Sequence, residues 1–95
     1  MLNKKRLKKN GRVRVTFRHP ARDARTVHVA GQFTDWKPVR MRRGSDGVWQ
    51  AVVELEPNRA YEFRYVMNED EWVNDAAADR QVPNPFGGEN SVALT

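Results

Sequence analysis

The sequence predicts a small all-β domain folded as an antiparallel β-sandwich. Short runs in which apolar and polar residues alternate predict half-buried strands, and turn-forming residues separate these runs about every ten residues. No long stretch shows the apolar spacing of three to four residues that marks an amphipathic helix. With 95 residues, the chain is the size of one domain with a modest core.

The first half of the chain contains three predicted strands. Residues 13–18 alternate valine and phenylalanine with arginine and threonine, and residues 27–31 repeat this alternation up to a glycine. A short segment follows at residues 39–43, and Asp46-Gly47 then supplies the positive φ angles of a tight hairpin. The hairpin leads into a strand at residues 49–55, where alternation resumes.

The second half continues the pattern with two more strands and irregular connections. Residues 61–66 alternate aromatic and charged side chains, and a polar turn follows at residues 68–71. A single helical turn is one interpretation of residues 76–79. A loop rich in proline and glycine is predicted at residues 82–90, before a last strand at residues 91–94.

Strand periodicity also predicts which side chains form the core. The predicted inward-facing residues are Val13, Val15, Phe17, Val29, Trp49, Val53, Phe63 and Tyr65.

The N-terminal segment, residues 1–10, differs in composition from the rest. Five Lys and Arg side chains lie between residues 4 and 9, with Leu7 the apolar residue among them. Such a run is short and self-repelling, so we predict a basic flexible tail over residues 1–10 and a folded domain over residues 11–95.

Composition excludes several classes of protein. The absence of cysteine rules out disulfides and thiolate metal sites, including zinc fingers. No apolar run approaches the roughly 18 residues that span a bilayer, and no apolar stretch typical of a signal peptide follows the basic segment. We therefore expect a cytoplasmic protein without a membrane segment.

Charge is distributed unevenly along the chain. Residues 1–43 carry 14 Lys and Arg against 2 Asp, a net charge of +12, whereas residues 44–95 carry a net charge of −7. The balance reverses within the chain, which argues against a uniform nucleic-acid-binding surface, although the basic segment keeps that alternative open.

The sequence offers no convincing catalytic set. His19 lies at the end of a predicted strand, and His28 alternates outward on another. The carboxylates at residues 69–71 are consecutive in a turn, whereas a glycosidase pair must face each other across a substrate cleft. We therefore predict no enzyme activity, no catalytic residues, no cofactor and no metal site.

The three tryptophans fall into two groups. Trp49 is in register with the apolar residues of its strand, which predicts a core position. Trp36 and Trp72 follow polar residues and have no periodic apolar partners. Exposed rings beside turns suit stacking on flat amphipathic ligands, but a purely structural role at the ends of the sandwich is the alternative.

Four ordered motifs give the sequence a resemblance to a known family. They are residues 27–36, Val-His-Val-Ala-Gly-Gln-Phe-Thr-Asp-Trp; residues 46–49, Asp-Gly-Val-Trp; residues 61–65, Tyr-Glu-Phe-Arg-Tyr; and residues 87–92, Gly-Gly-Glu-Asn-Ser-Val. Together they resemble carbohydrate-binding module family 48. That family includes the isoamylase N-terminal or early set domain and the glycogen-binding domain of the AMP-activated protein kinase β subunit.

The resemblance implies an immunoglobulin-like β-sandwich that binds α-1,4-linked glucans such as glycogen, starch and maltooligosaccharides. It implies stacking of Trp36 and Trp72 on glucose rings, and hydrogen bonds to sugar from Arg64 and Asn90. Phe86 falls at the position of an apolar loop residue that inserts against the glucan.

The sequence departs from the family pattern at three points within the motifs or next to a site residue. Thr34 replaces the usual Asn, and Arg64 replaces a Lys. The turn before Trp72 has one extra residue and lacks the usual glycine. Because one extra residue in a strand moves the following side chains to the opposite face of the sheet, the orientation of Trp72 depends on whether the turn accommodates that residue.

Two interpretations of function are therefore open. The first is a glucan-binding module, whose protein partner would be a glycogen-metabolism enzyme or another protein. The alternative is a protein interaction module of the same fold with weak or no sugar binding, docking a partner through a sheet edge or the basic segment.

Overall fold

A computed structural model describes all 95 residues and confirms the predicted all-β antiparallel sandwich. Alternating polar and apolar residues form most of the strands, as expected for sheets with one buried face. The strands are β1 (Leu2–Arg6), β2 (Val13–Pro20), β3 (Val27–Gly31), β4 (Val39–Arg40), β5 (Arg42–Arg43), β6 (Val48–Leu55), β7 (Ala60–Met67), β8 (Glu71–Val73), β9 (Arg80–Pro83) and β10 (Glu89–Leu94), and a short 3₁₀-helix spans Gln32–Thr34.

The strands form one four-stranded and one six-stranded sheet. The first has the order β1-β2-β6-β5, and the second has the order β4-β3-β7-β10-β9, with β8 pairing with β7. The chain crosses from one sheet to the other between β4 and β5, where Met41 is buried. Both short strands therefore lie along the same edge of the sandwich.

Aromatic rings from both sheets meet in the core. Phe17 of β2 packs edge to face on Phe63 of β7, with 4.9 Å between ring centroids, and Phe63 packs against Tyr65. Such edge-to-face pairs stabilise a core beyond their buried area. The predicted inward residues are buried in the structure except Val53, which is partly buried against the same core.

A buried carboxylate organises the segment that follows β8. Asp75 is 4% exposed and accepts hydrogen bonds from the Tyr65 hydroxyl at 2.8 Å and the Ala77 amide at 2.9 Å, and it also contacts the α-amino group of Met1. Burial raises the pKa of Tyr65 above its usual range, which keeps the hydroxyl protonated as a donor. These contacts hold residues 76–79 in a non-helical turn, so the helical interpretation of that segment is wrong.

The structure also corrects the prediction of a flexible N-terminal tail. Residues 2–6 form β1, which pairs with β2 along its whole length. Leu2 packs against the core, Leu7 is buried, and the Lys4 ammonium pairs with Asp79. The fold therefore begins at Leu2.

Three further elements were not predicted from the sequence. The 3₁₀-helix follows β3 directly, β8 occupies residues 71–73 at the end of the predicted polar turn, and β9 occupies residues 80–83, part of which was predicted as loop. The loop before β10 is accordingly shorter, at residues 84–88.

Removing residues 1–7 is expected to lower the free energy of unfolding by roughly 2 to 4 kcal/mol. Burial of one leucine side chain contributes about 1.5 to 3 kcal/mol, and deletion removes Leu2 and Leu7 together and uncovers the edge of β2. Urea unfolding followed by circular dichroism measures the change. The double variant Lys8→Ala/Lys9→Ala, which removes two exposed charges, is the control. An unchanged unfolding midpoint after the deletion would show that β1 contributes nothing to the fold.

Candidate functional site

A cleft of about 570 Å³ lies on the outer face of the six-stranded sheet. Its floor comes from β7 and β10, and its rim comes from the loop after the 3₁₀-helix, from β8 and from the loop after β9. The structure brings all five residues selected from the sequence into this cleft: Trp36, Arg64, Trp72, Phe86 and Asn90. Four further lining residues were not selected: Gln32, Glu62, Asn84 and Pro85.

Trp36 reaches the rim because the chain turns sharply after the 3₁₀-helix. Asp35 and Trp36 both adopt left-handed backbone conformations, with φ angles of 54° and 60°. The Trp36 amide donates to the carbonyl of Gly31 at 2.9 Å, and the Thr34 hydroxyl bonds to the amide and carbonyl of Gly31. The indole is left 37% exposed.

Gly31 and Phe33 fix this turn to the sandwich. A Cβ atom at Gly31 would lie 2.5 Å from the carbonyl oxygen of Glu62, so only glycine allows this approach of β3 to β7. The Phe33 ring stacks on Phe17 at 5.1 Å between centroids. The residues between Gly31 and Trp36 therefore set the position of the exposed indole.

Trp72 faces the cleft because the preceding turn absorbs its extra residue. Asn68 and Glu69 take left-handed conformations, with φ angles of 53° and 73°. Trp72 then pairs with Val66, which alternates with the inward Tyr65 and so lies on the outer face with Arg64. The Trp72 side chain is 40% exposed.

Arg64 links the floor of the cleft to the rim. Its Nη2 group donates to the carbonyl of Trp72 at 3.1 Å, while its Nε group is buried and has no hydrogen-bond partner in the protein. The guanidinium therefore stabilises β8, and its Nη1 group makes no hydrogen bond within the protein.

Glu62 is the centre of a polar network beneath the cleft. Its carboxylate accepts from the amide groups of Asn90 at 3.0 Å and Gln32 at 3.5 Å, and its backbone amide donates to the Gln32 side chain at 2.9 Å. Asn90 is 8% exposed, and its side-chain Oδ1 atom accepts a hydrogen bond from the side-chain amide of Asn84 at 3.3 Å. This network holds β7, β10 and the 3₁₀-helix in fixed relative positions.

Phe86 lies at the tip of the loop between β9 and β10. The side-chain Oδ1 atom of Asn84 accepts from the backbone amides of Phe86 at 2.9 Å and Gly88 at 3.1 Å, which closes the loop on itself. The Phe86 side chain is 94% exposed, so it contributes almost nothing to the core. The ring lines the cleft together with Trp36 and Trp72, where its exposed surface is accessible to a ligand.

One of the lining residues that were not selected could have been predicted from the strand periodicity of β7. Glu62 alternates outward with Phe63 and Tyr65, as Arg64 does, and its position follows from the same pattern. Gln32, Asn84 and Pro85 lie in irregular segments, where only the folded chain shows their proximity.

The chemistry of the cleft is that of a binding site. Arg64 and Glu62 are its two ionisable side chains, one of each sign, and the aromatic side chains lie on the rim. No group of three His, Asp or Glu side chains is arranged to hold a metal ion, and no helix in the structure is long and apolar enough to span a bilayer.

The two-sheet fold and the aromatic cleft define a β-sandwich binding module. The chain belongs to the family described as carbohydrate-binding module 48 (isoamylase N-terminal domain), whose model matches residues 5–79. The four motifs in the sequence indicated the same family.

Two similar proteins extend beyond this domain. ULP1-interacting protein 4 of Saccharomyces cerevisiae is 28% identical over 88 residues, which cover 85% of this chain and 29% of that protein. The crystal structure of ferric enterobactin esterase from Salmonella typhimurium matches 99% of this chain and 34% of the esterase, with a TM-score of 0.80 and 16% identity. The chain thus spans about a third of each, and the second match shows the fold alone.

Proposed function

We propose that this chain is a non-catalytic module that binds α-1,4-linked glucans in the cleft of the six-stranded sheet. The observation that supports this most strongly is the exposure of three aromatic side chains around one cleft: Trp36, Trp72 and Phe86. Sugar rings present apolar faces that stack on such side chains, while their hydroxyl groups need directional partners.

Arg64 supplies those directional contacts in this proposal. Arg64 lines the cleft and its Nη1 group makes no hydrogen bond within the protein, and Glu62 offers carboxylate oxygens that accept hydrogen bonds from hydroxyl groups. Asn90 already donates to Glu62 and accepts from Asn84, so its role includes holding the floor of the cleft.

The charge of the cleft favours a neutral ligand. Its single cation lies with a single anion, whereas sites that bind polyanions collect several cations. Binding of a neutral glucan releases no counterions, so its affinity is insensitive to salt.

Isothermal titration with maltoheptaose tests the proposal, with cellohexaose as the control. We expect saturable binding of maltoheptaose alone, with a dissociation constant that changes by less than about two-fold when NaCl rises tenfold. Phosphate contacts would instead make the logarithm of the association constant fall against the logarithm of the salt concentration, with a slope of about −0.7 to −0.9 per phosphate. Equal binding of both sugars, or binding of neither at millimolar concentration, would contradict the assignment to α-glucans.

A second candidate function is protein interaction in the same fold. It is favoured by the similarity to a yeast protein named for an interaction with ULP1. The same titration separates the two candidates, because a pure interaction module shows no saturable response to maltoheptaose.

A further inference from the structure

The chain segment between Trp36 and the Gly44 turn carries an unneutralised positive charge. Residues 37–43 include four cations and no carboxylate: Lys37, Arg40, Arg42 and Arg43. None of the four forms an ion pair within the structure. Their cross-strand partners are not acidic either, since Arg40 lies opposite His28 and Arg42 lies opposite Gln50.

The arginines in and just before β2, which lies one strand further into the four-stranded sheet than β6, differ in this respect. Arg12, Arg14 and Arg18 each have a carboxylate within ion-pair distance, at 3.4, 4.0 and 3.8 Å. Positive charge is therefore partly neutralised along β2, and the cations of β4 and β5 have no carboxylate partner.

This edge also leaves backbone and apolar groups exposed. The strand β5 pairs only with Trp49 and Gln50, so residues 51–55 of β6 have no strand beside them on that side. Val52 is 60% exposed and Val39 is 44% exposed. Both line a shallow groove of about 400 Å³ together with Arg40, Arg42, Gln50 and Ala51.

An unpaired strand edge, two apolar side chains and two free arginines form a surface suited to an extended peptide. An added strand uses the open backbone groups of an edge, and its alternate side chains reach the pockets beside it. Arginine favours carboxylates as partners, since its fork of donors matches them.

We infer that the groove between β4, β5 and the open edge of β6 docks an acidic, extended segment of a partner protein. Glutamate or aspartate side chains of that segment pair with Arg40 and Arg42, and an alternating apolar side chain lies between Val39 and Val52. The groove shares no lining residue with the glucan cleft, so a partner and a glucan do not compete for the same side chains.

The probe for this inference is a fluorescently labelled peptide of four Glu-Val repeats, titrated into the full chain. We expect saturable binding, with amide chemical-shift changes confined to residues 39–43 and 50–54. The double variant Arg40→Glu/Arg42→Glu should weaken the peptide at least ten-fold and should gain affinity for a Lys-Val repeat peptide. The matched control is Arg80→Glu, an exposed arginine on β9, which should bind the Glu-Val peptide like wild type.

Titration with maltoheptaose tests the proposed function separately from this inference. The double variant Arg40→Glu/Arg42→Glu should bind maltoheptaose with the same affinity as wild type. Absence of peptide binding, or binding unaffected by the double variant, would overturn the docking site. Tighter binding of a single-stranded RNA dodecamer than of the peptide at the same edge would overturn the assignment to a protein segment. Self-association of the chain that the double variant abolishes would assign the edge to a second copy instead.

Discussion

Replacing Trp36 with alanine is expected to eliminate measurable binding of maltoheptaose. Truncation of an aromatic side chain that carries much of the binding energy typically costs at least about 2 kcal/mol, equivalent to a loss of roughly 30-fold in affinity, which takes a weak ligand below detection. The fold should persist, because the indole is 37% exposed and alanine carries the same Cβ in the left-handed backbone conformation. We expect the free energy of unfolding to fall by no more than about 1 kcal/mol.

Calorimetric titration and urea unfolding of the same preparation measure both quantities. Trp72→Ala should also weaken binding, since its ring lines the same cleft. Val52→Ala, at an exposed apolar side chain outside the cleft, is the matched control and should leave affinity for the sugar unchanged. A Trp36→Ala variant that binds maltoheptaose like wild type would remove Trp36 from the site.

Replacing Trp49 with alanine should have the largest effect on stability. Trp49 is 4% exposed, and its indole Nε1 group donates to the Ala21 carbonyl at 3.0 Å. Loss of the buried ring and the resulting cavity should cost about 3 to 5 kcal/mol. A domain of this size has a total stability of roughly 5 to 14 kcal/mol, so the variant should be close to unfolding.

Thermal unfolding followed by circular dichroism measures this effect. Trp49→Phe, which retains most of the apolar contact and loses the hydrogen bond, should cost substantially less than the alanine variant. An alanine variant as stable as wild type would show that Trp49 does not contribute to the core.

Strand periodicity was enough to predict the longer strands β2, β3, β6 and β7, because these strands bury alternate side chains. It failed at β1 because Lys4 and Arg6 occupy positions on the inward side of that strand, in register with Val15 and Val13. The Lys4 ammonium is instead satisfied by Asp79, 75 residues away, a contact that no local pattern predicts. Burial by itself raises the pKa of Asp79, but the hydrogen bonds from Lys4 and Leu94 and the charge of Lys4 together outweigh it and lower the pKa, which favours the ionised form in this pair.

Some residues of the candidate site could be predicted from the sequence, and others could not. Trp36 stood out as an aromatic residue without periodic apolar partners. The resemblance to the family motifs selected Arg64 and Phe86, and the alternation of Arg64 with its buried neighbours agrees with that selection. The network around Glu62 joins residues from three separate segments through side-chain hydrogen bonds. Contacts of this kind depend on the packing of the whole chain, so sequence spacing alone does not reveal them.

The indole N–H signals of the three tryptophans provide the most direct measurement of where a glucan binds. Trp36 and Trp72 line the cleft, while Trp49 is buried in the core and serves as an internal reference within the same molecule. In a ¹⁵N-¹H correlation spectrum recorded during titration with maltoheptaose, the signals of Trp36 and Trp72 should shift together along one saturation curve, and that of Trp49 should stay in place. Saturating maltoheptaose that leaves all three signals unmoved, or that moves Trp49 alone, would contradict glucan binding in this cleft.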